Sequence, residues 1–317
     1  MRLLCTGLLA AALACGGQTG TAPEVLTILA PAAPGGGWDQ TARAMQAALQ
    51  EGEAAGGVRV VNVAGAGGTI GLAQFVNDNA GRGDVLLVTG LIMVGAVLTN
   101  RSAVTLDQTT PIARLTGDYE VLVVPDDSPY DSLDAFLDAW RRSPGSLAIA
   151  GGSAGGTDHM LAGLLAARVG MDPTAINYVP HSGGGESIAS ILGGQVAAGI
   201  NGVSELAALI DAGRLRALAI SSAERLPGRA IPTFREQGVD LTLTNWRGVV
   251  GPPGLTDEQR AALTARIDAL QRSPAWQATL ARNDWIDLHL SGPAFETFLD
   301  AERTRAAAVL ASIGLTQ

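Results

Sequence analysis

The chain has 317 residues and a formal net charge of −9, which excludes a nucleic acid or an anionic membrane surface as its partner. All 21 basic residues are arginines, so a lysine-containing phosphate loop, a lysine Schiff base and a lysine general base are excluded as well. The length is typical of a chain with two domains.

The N-terminus resembles an export signal, because a short charged start precedes the apolar segment Leu3–Ala14. The sequence Ala12-Leu-Ala-Cys15 resembles the lipobox of bacterial lipoproteins, which predicts Cys15 as the lipidated first residue of the mature chain. An ordinary signal that is cleaved nearby is the alternative. We therefore expect a signal over 1–15, a tether over 16–23 and a periplasmic protein anchored to a membrane by a lipid on Cys15.

A glycine-rich loop follows the first strand. The apolar run Val25–Ala30 predicts a buried strand, and Pro34-Gly-Gly-Gly-Trp-Asp39 leads into a helix that ends near Leu49, with Asp39 at the helix start. A helix start offers free N–H groups and a partial positive charge, so this loop is suited to an anion. A turn that needs glycine only for its geometry is the alternative.

The same order of strand, glycine cluster and helix occurs three more times. Glycine clusters follow the predicted strands that end at Val63, Ala150 and Val179. Because ligands of open α/β sheets lie at the carboxyl ends of strands, the four loops are predicted to surround one crevice. Four helix starts at one crevice would suit a ligand with several negative groups.

Further along the chain, strands and helices alternate, which predicts α/β lobes with mainly parallel sheets. We expect a short helix over Leu91–Leu98 and two separate extended runs, Thr109–Ala113 and Glu120–Val124. After the proline-bounded stretch that ends at Pro253, only helices are predicted, and the capping-box sequence Thr256-Asp-Glu-Gln259 starts the first of them. The predicted division is residues 24–124 plus 247–317 for lobe 1 and 125–246 for lobe 2.

Several spaced motifs together resemble one family. These motifs are Pro34–Arg43, Asn62–Gly71, Gly155–Met160, Asn177–Glu186 and Asn245–Gly248. They are similar to the tripartite tricarboxylate transporter receptors, and to the citrate-type branch in particular. The resemblance implies a two-lobed periplasmic-binding-protein fold of type II with the ligand cleft between the lobes. It also implies a monomeric carrier without cofactor or enzymatic activity, which delivers a citrate-like di- or tricarboxylate to a permease made of one large and one small integral membrane subunit.

The resemblance also implies which residues bind the ligand, largely through backbone N–H groups and bound water. One jaw would comprise Gly36, Gly37, Trp38 and Asp39, supported by Gly68 and Thr69. The other jaw would comprise Ser153, Gly155, Gly156, Thr157 and His159, together with Ser182, Gly183, Gly184, Asn201 and Ser204. Trp38 fits the citrate-type branch and disfavours an amino-acid or nicotinate-type ligand. His159 either donates to a ligand carboxylate or bonds the neighbouring lobe, and no second histidine or cysteine falls at metal-ligand spacing.

Two enzyme-type alternatives remain open from the residues alone. Gly151-Gly-Ser153-Ala-Gly155 matches the nucleophile elbow of serine hydrolases, with His289 as the base and the loop Gly35–Gly37 as the oxyanion hole. The acid of such a triad would be Asp257, Asp268 or Asp287. The segment Ala64–Gly71 is close to a dinucleotide fingerprint, but it lacks a well-placed acidic residue after the next strand.

Overall fold

A computed structural model describes residues 25–52 and 57–316 of the chain. The predicted signal, the tether and Cys15 therefore lie outside the described residues. Within the two described ranges, no helix is both long and apolar enough to cross a membrane.

The described residues alternate between strands and helices, which confirms the predicted α/β class. The strands are β1 Leu26–Ala30, β2 Val58–Asn62, β3 Val85–Gly90, β4 Thr110–Pro125, β5 Ala148–Gly151, β6 Asn177–Pro180, β7 Ala198–Gly202, β8 Leu215–Ile220, β9 Thr244–Gly251 and β10 Ile286–Ser291. The helices are α1 Gly37–Gly52, α2 Thr69–Asp78, α3 Leu91–Thr99, α4 Leu133–Arg142, α5 Thr157–Arg168, α6 Gly184–Leu192, α7 Val203–Asp211, α8 Asp257–Arg272, α9 Pro274–Arg282 and α10 Pro293–Ser312.

The strands form one continuous sheet with two parts that share β4. In the first sheet part, β2, β1 and β3 are parallel, and β9, the start of β4 and β10 continue it with antiparallel pairings. In the second sheet part, β6, β5 and β7 are parallel, and both β7 and β8 pair antiparallel with the end of β4. The parallel strands are those of the predicted βαβ units, and β1 and β3 are buried along their whole length, as strands covered on both faces should be.

β4 joins the two sheet parts as one strand of 16 residues, where the sequence predicts two separate runs. Its residues from Thr110 to Tyr119 pair with β9, and those from Glu120 onward pair with β7 and β8. The polar residues Thr116, Asp118 and Glu120 interrupt the apolar pattern, although all three are buried. Strand partners on both sides keep this segment extended. The apolar pattern along one segment of sequence does not show which strands pair with it.

The prediction that only helices follow Pro253 is wrong, because β10 lies between α9 and α10. β10 pairs antiparallel with residues 113–117 of β4. The alternation of Ile286, Leu288 and Leu290 is a strand signal in the sequence. The short helix predicted after β3 is confirmed as α3, and the predicted capping box is confirmed at the start of α8. The predicted lobe boundaries remain a prediction.

The capping box gives a first testable expectation. The Thr256 hydroxyl accepts a hydrogen bond from the Gln259 N–H, and the Gln259 side chain accepts one from the Thr256 N–H. Thr256→Ala removes one of these bonds, so we expect the free energy of unfolding in urea to fall by about 1 kcal/mol. Thr304→Ala is the control, because Thr304 is exposed on α10 and its hydroxyl bonds only the carbonyl of Asp300. An equal loss of stability in both variants would contradict the capping role.

Candidate ligand-binding cleft

A cavity of about 440 Å³ lies between the two sheet parts, at the carboxyl ends of several strands. Its walls come from the loops after β1, β2, β5 and β6, from the end of β7 and the start of α7, and from Ile92 of α3, and β9 contributes Asn245 and Arg247. This volume is in the range of small-molecule sites. The cavity therefore lies where the four glycine loops predicted it.

Nine of the residues predicted to bind a ligand line this cavity. They are Gly36, Gly37, Trp38, Gly68, Ser153, Ser182, Gly183, Gly184 and Asn201. The remaining seven predicted residues are absent from its lining: Asp39, Thr69, Gly155, Gly156, Thr157, His159 and Ser204. The contacts of these seven residues show what most of them do in the fold.

Asp39 fixes the shape of the first loop. It lies in the first turn of α1, which begins two residues earlier, and its carboxylate accepts hydrogen bonds from the Gly35 N–H at 2.7 Å, from Arg43 Nε at 2.9 Å and from Asn62 Nδ2 at 2.8 Å. Burial raises the pKa of Asp39, but these hydrogen bonds outweigh burial and hold it below its usual range. The Asp39 carboxylate therefore already has its hydrogen-bond partners within the protein.

The same loop leaves donors free at the start of α1. Within the described ranges, the N–H groups of Gly37 and Trp38 have no acceptor, as expected in the first turn of a helix. The Trp38 ring is only 7% exposed and packs against Gly68, where a Cβ would approach the ring to 2.6 Å. Glycine at position 68 thus lets the indole form one wall of the cavity.

Gly155 and Gly156 face α3 instead of the cavity. A Cβ on Gly155 would collide with Thr99, and a Cβ on Gly95 of α3 would collide with the carbonyl of Gly155. Gly155 also has a φ of +73°, a conformation that favours glycine. These glycines allow α3 and the third glycine loop to approach each other closely.

His159 hydrogen-bonds to the third glycine loop and holds it in place. Its Nδ1 accepts a hydrogen bond from the Gly155 N–H at 3.2 Å, and its ring stacks on Tyr178 with centroids 4.0 Å apart. Burial lowers the pKa of His159 to about 4, so the imidazole is neutral near pH 7. The Thr69 hydroxyl donates to the carbonyl of Ala66, and the Ser204 hydroxyl donates to Asp118.

A group of charged residues at the floor of the cavity was not predicted from the sequence. Arg247 and Asp158 are buried, Glu205 is half-buried, and all three line the cavity. Behind them, Asp118 Oδ2 lies 3.8 Å from Arg247 Nη2, and Glu120 Oε1 accepts a hydrogen bond from Asn245 Nδ2 at 3.0 Å. A signal for two of these residues was present, since Arg247 and Asp158 belong to motifs on which the family resemblance depends.

Burial changes the protonation of this group. It raises the pKa of Asp158 to about 6 and that of Glu205 to about 7. The pKa of Asp118 is also raised by burial, although Arg247 opposes the change. Near neutral pH the cavity floor therefore holds less negative charge than the number of its carboxyl groups suggests.

The structure pairs the base of the hydrolase alternative, His289, with one of its candidate acids, Asp268, but it does not bring Ser153 to them. His289 Nε2 pairs with Asp268 Oδ1 at 2.9 Å, and His289 lies on β10, which does not line the cavity that contains Ser153. Asp287 Oδ1 accepts a hydrogen bond from Gln271 Nε2 at 2.7 Å, and Asp257 is the first residue of α8. In the part of the chain that the structure describes, no histidine hydrogen-bonds to Ser153.

A family model described as the tripartite tricarboxylate transporter family receptor matches residues 41–315. The chain belongs to this family. Members of the family are periplasmic solute-binding proteins with a two-lobed fold, which fits a cavity between two sheet parts.

Individual relatives agree with this assignment. The receptor is 31% identical to protein BugT of Bordetella pertussis over 264 residues, which cover 81% of this chain and 79% of BugT. The fold is similar to that of MatC from Rhodopseudomonas palustris with bound malate, with a TM-score of 0.80, 24% identity and coverage of 90% and 99% of the two chains. It is also similar to R. palustris Rpa4515 with adipate, with a TM-score of 0.79, 24% identity and coverage of 92% and 97%.

The role of Asp39 can be tested by its dependence on pH. Its lowered pKa means that the carboxylate stabilises the receptor above the unfolded value of about 3.9 and loses this effect as the pH falls through the folded value. We expect Asp39→Asn to lower the free energy of unfolding in urea by about 2 kcal/mol at pH 7. Below about pH 4 the difference from the unmodified receptor should shrink.

Asp138→Asn is the matched control, because Asp138 is exposed and pairs only with Arg141 on the same helix. Its effect should stay within about 0.5 kcal/mol at every pH. A constant difference between Asp39→Asn and the unmodified receptor from pH 7 to pH 3 would contradict the role assigned to Asp39.

Proposed function

We propose that the receptor captures a small carboxylate with two or three acidic groups, citrate-like as the sequence indicates, and delivers it to a permease of the tripartite type. The observation that carries the proposal is the free N–H pair of Gly37 and Trp38 at the start of α1, which opens on a small-molecule cavity beside Arg247. Hydrogen bonds from fixed N–H groups to a carboxylate are of the strong, charge-assisted kind. Two proteins of similar fold, which have malate and adipate bound, support a ligand of this size and charge.

Arg247 strengthens this side of the cavity. A Cβ on Gly37 would lie 2.7 Å from Arg247 Nη2, so the guanidinium group lies directly beside the start of α1. The partial positive charge of the helix and the full charge of Arg247 therefore act at the same place. A ligand carboxylate bound here would lose its hydrating water and would interact instead with the start of α1 and with the Arg247 guanidinium group.

Closure of the two lobes is the second part of the proposal. The chain crosses between the sheet parts in β4 and again where β9 begins, so these strands are the candidate hinges. The contact of Gly95 with the Gly155 carbonyl would belong to the closed state. We further propose that the receptor works as a monomer in the periplasm, that its lipid on Cys15 keeps it at the membrane, and that no bond of the ligand is made or broken.

A thermal-shift screen tests the ligand class directly. The signal-free receptor is heated with citrate, isocitrate, tricarballylate, malate, succinate, glutamate and terephthalate. A ligand that binds only the folded state adds about 2.7 kcal/mol at 100 times its Kd, which amounts to several degrees in Tm. A shift without consumption of the ligand supports a carrier. No shift with any carboxylate, or turnover of an ester by Ser153, would overturn the proposal.

A substitution in the first loop tests the position of the carboxylate. Gly36 lines the cavity, and a Cβ there would meet only the Ala33 carbonyl at 3.3 Å and Ala32 at 3.5 Å. Gly36→Val should therefore fold with a Tm close to that of the unmodified receptor, while its branched side chain fills the carboxylate position. We expect ligand affinity, measured by calorimetry, to fall at least tenfold, or about 1.4 kcal/mol. Gly57→Val, at an exposed position directly before β2 with open space around it, should bind normally.

A substitution in α3 tests closure. Gly95→Ala places a methyl group against the Gly155 carbonyl and Met160, yet alanine favours the helix itself by about 0.5–1 kcal/mol. We expect unchanged or higher stability together with about tenfold weaker binding, because the added methyl group opposes the closed state. Gly145→Ala is the control, since its nearest neighbour would be 3.8 Å away. Normal affinity in Gly95→Ala would show that this contact is not needed for binding.

A further inference from the structure

The second sheet part supplies its own carboxylates to the loops on its side of the cavity. Asp158 Oδ2 accepts a hydrogen bond from the Gly152 N–H at 2.6 Å, and Glu186 Oε2 accepts one from the Ser182 N–H at 3.1 Å. Ser182 was predicted to bind the ligand, and Gly152 precedes the predicted residue Ser153, but both N–H groups bond within the protein. They are therefore not available to a ligand carboxylate in this arrangement.

The Glu205 carboxylate lies close to the start of α6. A Cβ on Gly184, the first residue of α6, would lie 2.7 Å from Glu205 Cδ. Glu205 lies at the start of α7 and lines the cavity together with Asn201 and Asp158. The charged groups that act on Glu205 are Arg247, Asp158, Asp118 and Glu120. One cation thus faces several carboxyl groups.

The other side of the cavity has the opposite character. Among the described residues that line it from the first sheet part, none is acidic, and Arg247 is the cationic one. The Arg247 side chain is only 4% exposed, and its Nη1 has no hydrogen-bond partner in the described ranges. The charged groups of the cavity are therefore divided, with the positive charge of Arg247 beside α1 and the carboxyl groups of Asp158 and Glu205 at the starts of α5 and α7.

We infer that the ligand carries a hydrogen-bond-donating substituent, a hydroxyl or an ammonium group, which binds at Glu205 and Asp158 while its carboxylates face α1 and Arg247. This rests on the proposed function and narrows it to donor-bearing carboxylates. An ionised carboxylate only accepts hydrogen bonds, so a plain methylene group in that place would leave the remaining acceptor capacity of the half-buried Glu205 carboxylate without a donor. A further ligand carboxylate in that place would meet like charge.

Glu205 is the specificity-determining residue in this arrangement. Asp158 already accepts a backbone hydrogen bond, whereas the Glu205 carboxylate is the more exposed of the two and faces the cavity. A site built around a donor on its ligand rejects the analogue that lacks the donor more strongly than an apolar pocket rejects a missing methylene. The ligand series that tests this must therefore differ only in the donor.

Two matched series meet this requirement. Succinate, malate and aspartate differ only in hydrogen, hydroxyl or ammonium at one carbon, and tricarballylate and citrate differ only in one hydroxyl. Calorimetry on the signal-free receptor at pH 8, where Glu205 with its pKa of about 7 is mostly ionised, gives each Kd. We expect a donor-bearing member to bind at least tenfold more tightly than the member of its series that lacks the donor.

Glu205→Gln removes the charge and keeps the shape. We expect it to reduce the preference within the series to threefold or less, mainly through weaker binding of the donor-bearing member. Asp211→Asn, an acid-to-amide change at the exposed end of the same helix, should leave the preference unchanged. If Glu205→Gln does not fold, the unmodified receptor at pH 6 replaces it, because protonated Glu205 can donate to a carboxylate and should narrow the preference.

The outcomes separate this inference from the proposed function. Equal binding of succinate, malate and aspartate, together with equal binding of tricarballylate and citrate, would overturn the inference and leave carboxylate capture standing. A preference that survives Glu205→Gln unchanged would overturn the role of Glu205. No binding by any member of either series would overturn the proposed function and the inference with it.

Discussion

The structure depends on a group of buried charges where β4 changes its strand partners. Arg247 on β9 lies 3.8 Å from Asp118 on β4, and Asn245 hydrogen-bonds to Glu120 across the same pair of strands. Buried charges are costly unless they are paired and hydrogen-bonded, so each member restricts the position of the others. The Glu120 N–H also donates to Ser221 Oγ at 3.0 Å. This bond connects the crossing in β4 to the segment that directly follows β8. The crossing and the floor of the cavity are therefore built by the same residues.

In the loops above this floor, some backbone N–H groups bond to the protein itself and others remain free at the cavity. A side chain that follows each of three loops bonds back to it: Asp39 to Gly35, Asp158 to Gly152 and Glu186 to Ser182. A loop held by such bonds keeps its remaining N–H groups in place before any ligand arrives, which lowers the cost of ordering on binding. The glycines have separate tasks as well, because Gly68 admits the Trp38 ring and Gly155 admits α3.

Much of this could be predicted from the sequence, because the information is local. Strand, glycine loop and helix follow one another within about 20 residues, and capping at Thr256 needs only its own turn. One failure had a local signal, since the apolar alternation of β10 is typical of a strand. The other parts that failed depend on distant partners, and β4 is continuous because it pairs with β9, more than 100 residues further along the chain. Buried charge was missed for the same reason, since Asn245 and Glu120 are 125 residues apart and each alone has the sequence signature of a surface residue.

The wall formed by Trp38 has one more consequence. The chain has five tryptophans, all within the described ranges, and of these Trp38 lines the cavity while the others are buried elsewhere. An indole reports the polarity of its surroundings through its light emission. A solute that displaces water from the cavity changes those surroundings most directly for Trp38, the indole that lines the cavity. The receptor thus carries an intrinsic optical probe of its own occupancy, without any attached dye.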